Sequence, residues 1–204
     1  MSIKSKLTNH QRRIGLTGGI ATGKSTIANH IKKYKDIPIL DADQYSKELI
    51  KPKSKGYKEV LAYFGPQIVD HYSSENEINR ELLKKIIFDN SIDRTWIENL
   101  LHPRIKEKMI KECNKFKKNK IILLVIPLLF EAKFMDLCTE IWLVKCPRAI
   151  QKKRLMKRNK ISDQEAEKMI NLQLNFKDKS KFSDVILDNS KDQELWINKI
   201  QKLI

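Results

Sequence analysis

The eight residues Gly18 to Ser25, GGIATGKS, fill every fixed position of the pattern G-x-x-x-x-G-K-[ST]. They constrain the fold through what flanks them. Residues 13–17 (RIGLT) read as a strand, and residues 25–34 (STIANHIKKY) read as a helix with Ile27 and Ile31 four apart. In such a strand, turn and helix, consecutive backbone N–H groups curl around phosphates with no Cβ in the way. The helix contributes unpaired N–H groups and a positive end. A nucleotide would then lie against Gly19, Ala21, Thr22, Gly23, Lys24, Ser25 and Thr26. Lys24 would reach the β- and γ-phosphates, and the Ser25 hydroxyl would ligate Mg2+. A glycine turn matching by accident is the competing reading, and both flanks speak against it.

The remaining pattern extends this start into an α/β domain. Residues 37–40 (IPIL) form a short second strand, closed by Asp41-Ala42-Asp43. From about residue 44 to 118 the pattern is almost all helical, broken at Gly65-Pro66, and His102-Pro103 marks a further helix start because proline is tolerated in a first turn. Residues 121–126 are continuously apolar, as expected of a central parallel strand covered on both faces. Residues 140–145 and 184–187 make two more strands, a long basic helical stretch lies between them, and residues 193–204 end the chain as a helix. This alternation predicts a parallel sheet with an inserted helical block, and no internal repeat is visible. The insertion would sit over the phosphate site and hold a second substrate.

Composition narrows the class. Forty-one Lys and Arg against 25 Asp and Glu give a formal charge of +16, which attracts polyanions. The basic residues are mostly lysines at helical spacing, as on solvated faces, and no sequence-reading nucleic-acid module is present, so no nucleic acid is required. The longest apolar run, residues 121–130, contains Pro127 and has ten residues, where a bilayer helix needs about 20. No membrane role is expected. The opening MSIKSKLTNHQRR lacks an apolar signal core, and the three cysteines show no CxxC spacing, so a reducing cytoplasm is the expected location.

Carboxylates and arginines decide what kind of phosphate chemistry to expect. A nucleotide-hydrolysing motor usually carries an acid at the end of a second apolar strand. Here the most apolar strand runs on as IILLVIPLLFE with no carboxylate at its tip, and Asp41 and Asp43 close the 37–40 strand instead. One of them can serve the metal and the other the acceptor hydroxyl. The competing reading is an N-cap pair for a helix starting near Gln44. Asn159-Lys160-Ile161-Ser162 imitates a guanine-specificity motif but ends in Ser and follows a helical run. Asn159 is therefore expected to end one helix and Ser162 to cap the next, with Glu165 as its box partner. Arg154 and Arg158 are four apart on one helix face and could close over a transferring phosphoryl group, against the alternative of an exposed basic face. A lid has a physical reason, because transfer to an alcohol must exclude water.

Taken together, the chain resembles the dephospho-coenzyme A kinases. The matching pieces are LTGGIATGKST at 16–26, LDAD at 40–43, NRELLKKIIF at 79–88, IENLLHPRI at 97–105, IPLLFE at 126–131, QKKRLMKR at 151–158, EAEKMINLQ at 165–173 and DVILDNS at 184–190. The resemblance implies an ATP-dependent phosphotransferase acting on the 3′-hydroxyl of dephospho-coenzyme A, the last step to coenzyme A, with Mg2+ accompanying ATP. It implies a P-loop nucleoside-kinase-like parallel sheet flanked by helices, an inserted helical substrate domain and a helical lid. On this chain that means one kinase domain over 12–204, with a core of 12–45 and 119–204, an insertion of 46–118 and a lid region of 148–180. Asp43 matches the family's proposed general base, and Lys24 and Arg154 complete the catalytic set. Arg154 and Arg158 match lid arginines on ATP, Arg80 and His102 match features of the substrate domain, and Ser25 and Asp41 fall to the metal. One departure is visible: Met169 stands where the family usually has Arg, four residues before Gln173. Its partners are the small molecules ATP and dephospho-coenzyme A, with no obligate protein partner. Other small-molecule or nucleotide kinases of this loop type, and a non-catalytic nucleotide-binding regulator, are the alternatives.

Overall fold

The computed structural model describes residues 11–204. The opening residues, in which no secretion signal is expected, lie outside the described residues. In chain order the elements are β1 (Arg12–Gly18), α1 (Lys24–Tyr34), β2 (Ile39–Asp41), α2 (Ala42–Leu49), α3 (Lys55–Phe64), α4 (Arg80–Asp89), α5 (Ser91–Lys115), β3 (Ile121–Val125), β4 (Glu140–Lys145), α6 (Arg148–Asn159), α7 (Asp163–Asn171), α8 (Phe176–Ser180), β5 (Val185–Asp188) and α9 (Gln193–Leu203). They fall into two compact units, one running to Asp41 and resuming at Cys113–Ile204, the other Ala42–Glu112.

The first unit is built on a five-stranded sheet in the order β2-β3-β1-β4-β5, with every neighbouring pair parallel. Parallel neighbours need crossovers, and helices are what the crossovers supply. Successive strand residues face opposite sides. Ile14, Leu16, Leu123, Val125, Trp142 and Val144 share one core with Ile27 and Ile31 of α1 and Trp196 and Ile200 of α9. The alternate residues Ile122 and Leu124 of β3 are also buried, so β3 is apolar throughout because both its faces are covered. Because all strands run the same way, Gly18, Asp41, Val125, Lys145 and Asp188 end at one edge. Ligands of open α/β sheets bind at that edge.

The second unit is helical. Ser54 caps α3 by accepting from Tyr57 N–H at 3.0 Å, and Asn79 caps α4 by accepting from Leu82 N–H at 3.0 Å. Gly65-Pro66 ends α3 and opens a 3-10 turn, Pro66–Ile68, as the sequence leads one to expect. The Arg104 guanidinium forks onto both oxygens of Glu59, one at 2.9 Å, and ties α5 to α3.

Two sequence expectations are corrected. His102-Pro103 does not start a helix, since Pro103 lies inside the 25-residue α5. A proline there removes one backbone hydrogen bond, yet Ile97, Leu101, Ile105 and Met109 form a buried stripe at four-residue spacing straight through it. Burial outweighs the break. The second correction concerns the helix after β2, which starts at Ala42 and not near Gln44. Asp41 is the last strand residue and Asp43 lies in the first helical turn, so strand geometry does not relate the two carboxylates. The remaining expected cap is present: Ser162 and Glu165 form a reciprocal capping box on α7, satisfying two end N–H groups that the helix itself leaves unpaired. Among the described residues no helix is long and apolar enough to cross a membrane.

Candidate active site

The loop between β1 and α1 holds an unusual backbone. Gly23, at the N-cap position of α1, has φ 100°, a left-handed value that glycine adopts without strain, and Ala21 has φ 57°. A side chain at Gly19 would place its Cβ 2.7 Å from Gln151 Nε2, displacing the amide that holds the Ile20 carbonyl. Among the described residues no side chain caps α1, and its first turn contains no acid. The N-terminal N–H groups thus keep their positive end toward any anion that approaches. Ser25 and Thr26 are exposed in that turn. Lys24 Nζ donates to the carbonyls of Gly18 at 2.6 Å and Gly19 at 2.9 Å, which lays the ammonium across the loop.

Three side chains from distant parts of the chain fix the loop from behind. Asn189, 6% exposed at the carboxyl end of β5, donates from Nδ2 to the Thr22 carbonyl at 2.9 Å. Gln151, in the first turns of α6, donates from Nε2 to the Ile20 carbonyl at 2.7 Å. Gln173, two residues beyond α7, accepts from Ile20 N–H at 2.7 Å. Thr22 itself closes the turn, its hydroxyl donating to the Gly19 carbonyl at 2.8 Å. None of the three was singled out by residue type alone, because glutamine and asparagine carry no periodicity. Asn189 had one available signal, its place just past a strand end on the ligand-binding edge. Gln173 had another, as the final residue of a family-like segment.

The arginines separate. Arg154 donates to the Thr22 carbonyl at 3.5 Å, to the Asn189 carbonyl at 3.2 Å and to Cys146 Sγ at 3.5 Å. It is therefore seated against the phosphate loop. Burial raises the Cys146 thiol, against the opposing pull of Arg154, so the sulfur meets the guanidinium as a neutral acceptor. Arg158 is exposed and donates to Asn159 Oδ1 at 3.0 Å. Helices α6 and α7 are laced together by Arg148 to Glu167 and by Lys152 to Asp163 at 2.8 Å, and Met169 packs against a small core of Leu155, Ala166 and Ile170. A cleft of about 880 Å3 opens beside this hairpin, lined among others by Gly19, Lys145, Gln151, Gln173 and Phe176.

Asp41 ends β2 in register with Val125 of β3. In the helical unit, Asp43 is exposed in the first turn of α2. Arg80, the first residue of α4, donates to the Lys47 carbonyl at 3.4 Å. His102 is half-buried in α5, and burial lowers its imidazole below the ordinary range while Glu98 pulls the other way. Among the described residues no three His, Cys, Asp or Glu side chains gather to hold a metal by themselves.

The family model described as dephospho-CoA kinase matches residues 12–194. A dephospho-CoA kinase of Prochlorococcus marinus subsp. pastoris is 77% identical over 204 residues, all of both chains. One from Trichormus variabilis is 39% identical, covering 93% of this chain and 95% of its own. The fold is shared with a crystal structure from Thermus thermophilus, at TM-score 0.77 and 24% identity over 96% of this chain and 97% of that one. It is shared as well with a dephospho-CoA kinase from Campylobacter jejuni, at TM-score 0.66 and 24% identity over 94% of this chain and 96% of that one. With a matched phosphate loop, a parallel sheet and relatives of this kind across its length, the chain belongs to the dephospho-CoA kinase family.

Proposed function

We propose that this protein transfers the γ-phosphoryl group of ATP to the 3′-hydroxyl of dephospho-coenzyme A, releasing coenzyme A and ADP. The observation that carries this reading is the uncapped, acid-free N-terminus of α1 behind Lys24, in a chain matched to the family over residues 12–194. The acceptor's identity comes from the relatives. In the reaction the acceptor oxygen bonds to the γ-phosphorus, the bond from that phosphorus to the β–γ bridging oxygen breaks, and ADP leaves with the electron pair. The Asp43 carboxylate orients the hydroxyl and takes its proton. Lys24 and the backbone N–H groups of Ala21 to Thr26 hold the phosphate oxygens, where charge shifts during transfer.

The donor set at this edge suits a hard cation: the Ser25 hydroxyl on α1 and the Asp41 carboxylate at the end of β2. Mg2+ keeps several waters and binds through one or two protein oxygens plus phosphates, so no dedicated protein cage is needed. When bound it supplies charge neutralisation to the β- and γ-oxygens. Arg154 and Arg158 act on ATP from a lid region of 148–180, and Arg80 and His102 serve the acceptor within an insertion of 46–118. The core comprises 12–45 and 119–204. Dependence on ATP, and cysteines that are all thiols, favour a cytoplasmic setting.

The test is to incubate the purified chain with Mg-ATP, with and without dephospho-coenzyme A, and resolve ADP and coenzyme A chromatographically. The expected result is ADP formed in step with coenzyme A only when acceptor is present. Equal ADP with and without acceptor overturns the reading in favour of a hydrolase, and transfer to a different alcohol reassigns the substrate.

A further inference from the structure

Ile20 has no side-chain chemistry, yet both its backbone polar groups are held by glutamines more than a hundred residues away. The chemistry of each bond is unambiguous, since an N–H can only donate and a carbonyl can only accept. Gln173 must present its oxygen, and Gln151 its nitrogen. A peptide group is planar and trans, so its C=O and N–H point in opposite directions. Fixing one end of a peptide therefore aims the other.

We infer that Gln151 and Gln173 are a pair of positioning residues that set the two peptide planes around Ile20 and thereby shape the phosphate loop for ATP. By holding Ile20 N–H, Gln173 turns the Gly19 carbonyl the other way, where it receives Lys24 Nζ at 2.9 Å and the Thr22 hydroxyl at 2.8 Å. By holding the Ile20 carbonyl, Gln151 turns the Ala21 N–H away from α6, at the residue where the chain enters the left-handed region. One glutamine thus places the lysine's seat and the other aims a phosphate donor. A neutral amide suits both tasks, because an ionised side chain would add a charge beside the phosphates.

The pair is well anchored. Gln151 is 8% exposed, and its backbone N–H donates to the Pro147 carbonyl at 2.9 Å. The residue after Gln173 donates its N–H to Glu131 Oε1 at 3.1 Å, and that same oxygen lies 2.8 Å from Lys179 Nζ, whose side chain is 1% exposed. The two glutamines bound the α6–α7 hairpin, one near its start and one just past its end. Both ends of the hairpin therefore grip one residue of the phosphate loop, and the region proposed as a lid is tied to the loop it serves.

This inference rests on the kinase reading for its purpose but not for its test. Exchange of the Ile20 amide is followed by NMR on the 15N-labelled full chain, and ATP affinity is measured by titration of Gln151→Leu, Gln173→Leu, their double variant and Gln173→Glu. In Gln173→Leu, Ile20 should exchange at least about tenfold faster, whereas Gln173→Glu, which keeps an acceptor oxygen, should retain the parent's slow exchange. Each leucine variant should weaken ATP binding about tenfold, and the double variant should lose less than the product of the two, because both act on one residue. Unchanged Ile20 exchange in Gln173→Leu, ATP affinity within about twofold in both single variants, or strictly multiplicative losses would each overturn the inference. Loss of slow exchange in Gln173→Glu would do the same. If the parent chain makes no coenzyme A, the kinase reading fails while exchange and titration still decide this one.

Discussion

Two strand-to-helix junctions at the carboxyl edge of the sheet solve opposite problems. At the first, five residues separate β1 from α1, the N-cap is a glycine, and the opening turn of the helix carries no acid. At the second, β2 passes into α2 with no linker, Asp41 ending the strand and Asp43 sitting in the first helical turn. A helix start carries roughly half a positive charge, which an anion can satisfy from outside or a carboxylate from within. The first junction leaves that charge for a ligand; the second satisfies it with its own side chain. The contrast is one of charge: the first turn carries no acid of its own, and the second carries Asp43.

The largest effect should come from breaking the first junction. Lys24→Ala removes the cation lying across the Gly18 and Gly19 carbonyls, and should slow transfer on the order of a thousandfold in single-turnover assays. A rate within about twofold of the parent would show that this loop is not the working phosphate site. At the second junction, Asp43→Asn keeps the shape and removes the proton acceptor, with an expected loss of about a hundredfold in transfer and near-normal ATP affinity. The opposite pattern, weak ATP binding with transfer intact at saturation, would move Asp43 to the metal and leave Asp41 as the base. Arg154→Ala comes third. Loss of a charged donor to the Thr22 and Asn189 carbonyls should slow transfer about thirtyfold, and the exposed Arg158→Ala should cost less. Equal losses in the two variants would indicate a shared role on ATP rather than the seat seen only for Arg154.

Legibility in the sequence followed the range of the interactions. The phosphate loop, the β4 span Glu140–Lys145 and the Ser162–Glu165 box depend on residues within a few positions of one another, and each was readable from spacing. The Ile20 and Thr22 contacts join residues 131 to 167 positions apart, and no local pattern announces them. At Pro103 the local signal misleads for a related reason. Its local preference marks a boundary, whereas the buried stripe from Ile97 to Met109 continues through it and prevails. The junction after β2 was harder still, because Asp41-Ala42-Asp43 reads equally well as a turn with caps or as an abrupt strand-to-helix step. Asp43 stands out in the sequence by its residue type just past the second strand, whereas the helical turn that carries it does not.

The smallest expected effect on stability tests the contrast most directly, by making the first junction resemble the second. Thr26 is exposed in the first turn of α1, so an acid there can be introduced without disturbing the core. In the absence of nucleotide, Thr26→Asp should raise stability by about 0.5 kcal/mol, the scale of a carboxylate near a helix N-terminus, and added salt should reduce the gain. With ATP present the same carboxylate faces the phosphates, and affinity should fall at least about tenfold, because a like charge now occupies the end meant for the ligand. Denaturant titration reads the first effect and nucleotide titration the second, on one preparation. The signature is that they move in opposite directions. A variant that loses stability and affinity together would instead mean that Thr26 is held by packing, and that the open helix end is not what distinguishes this junction from its neighbour.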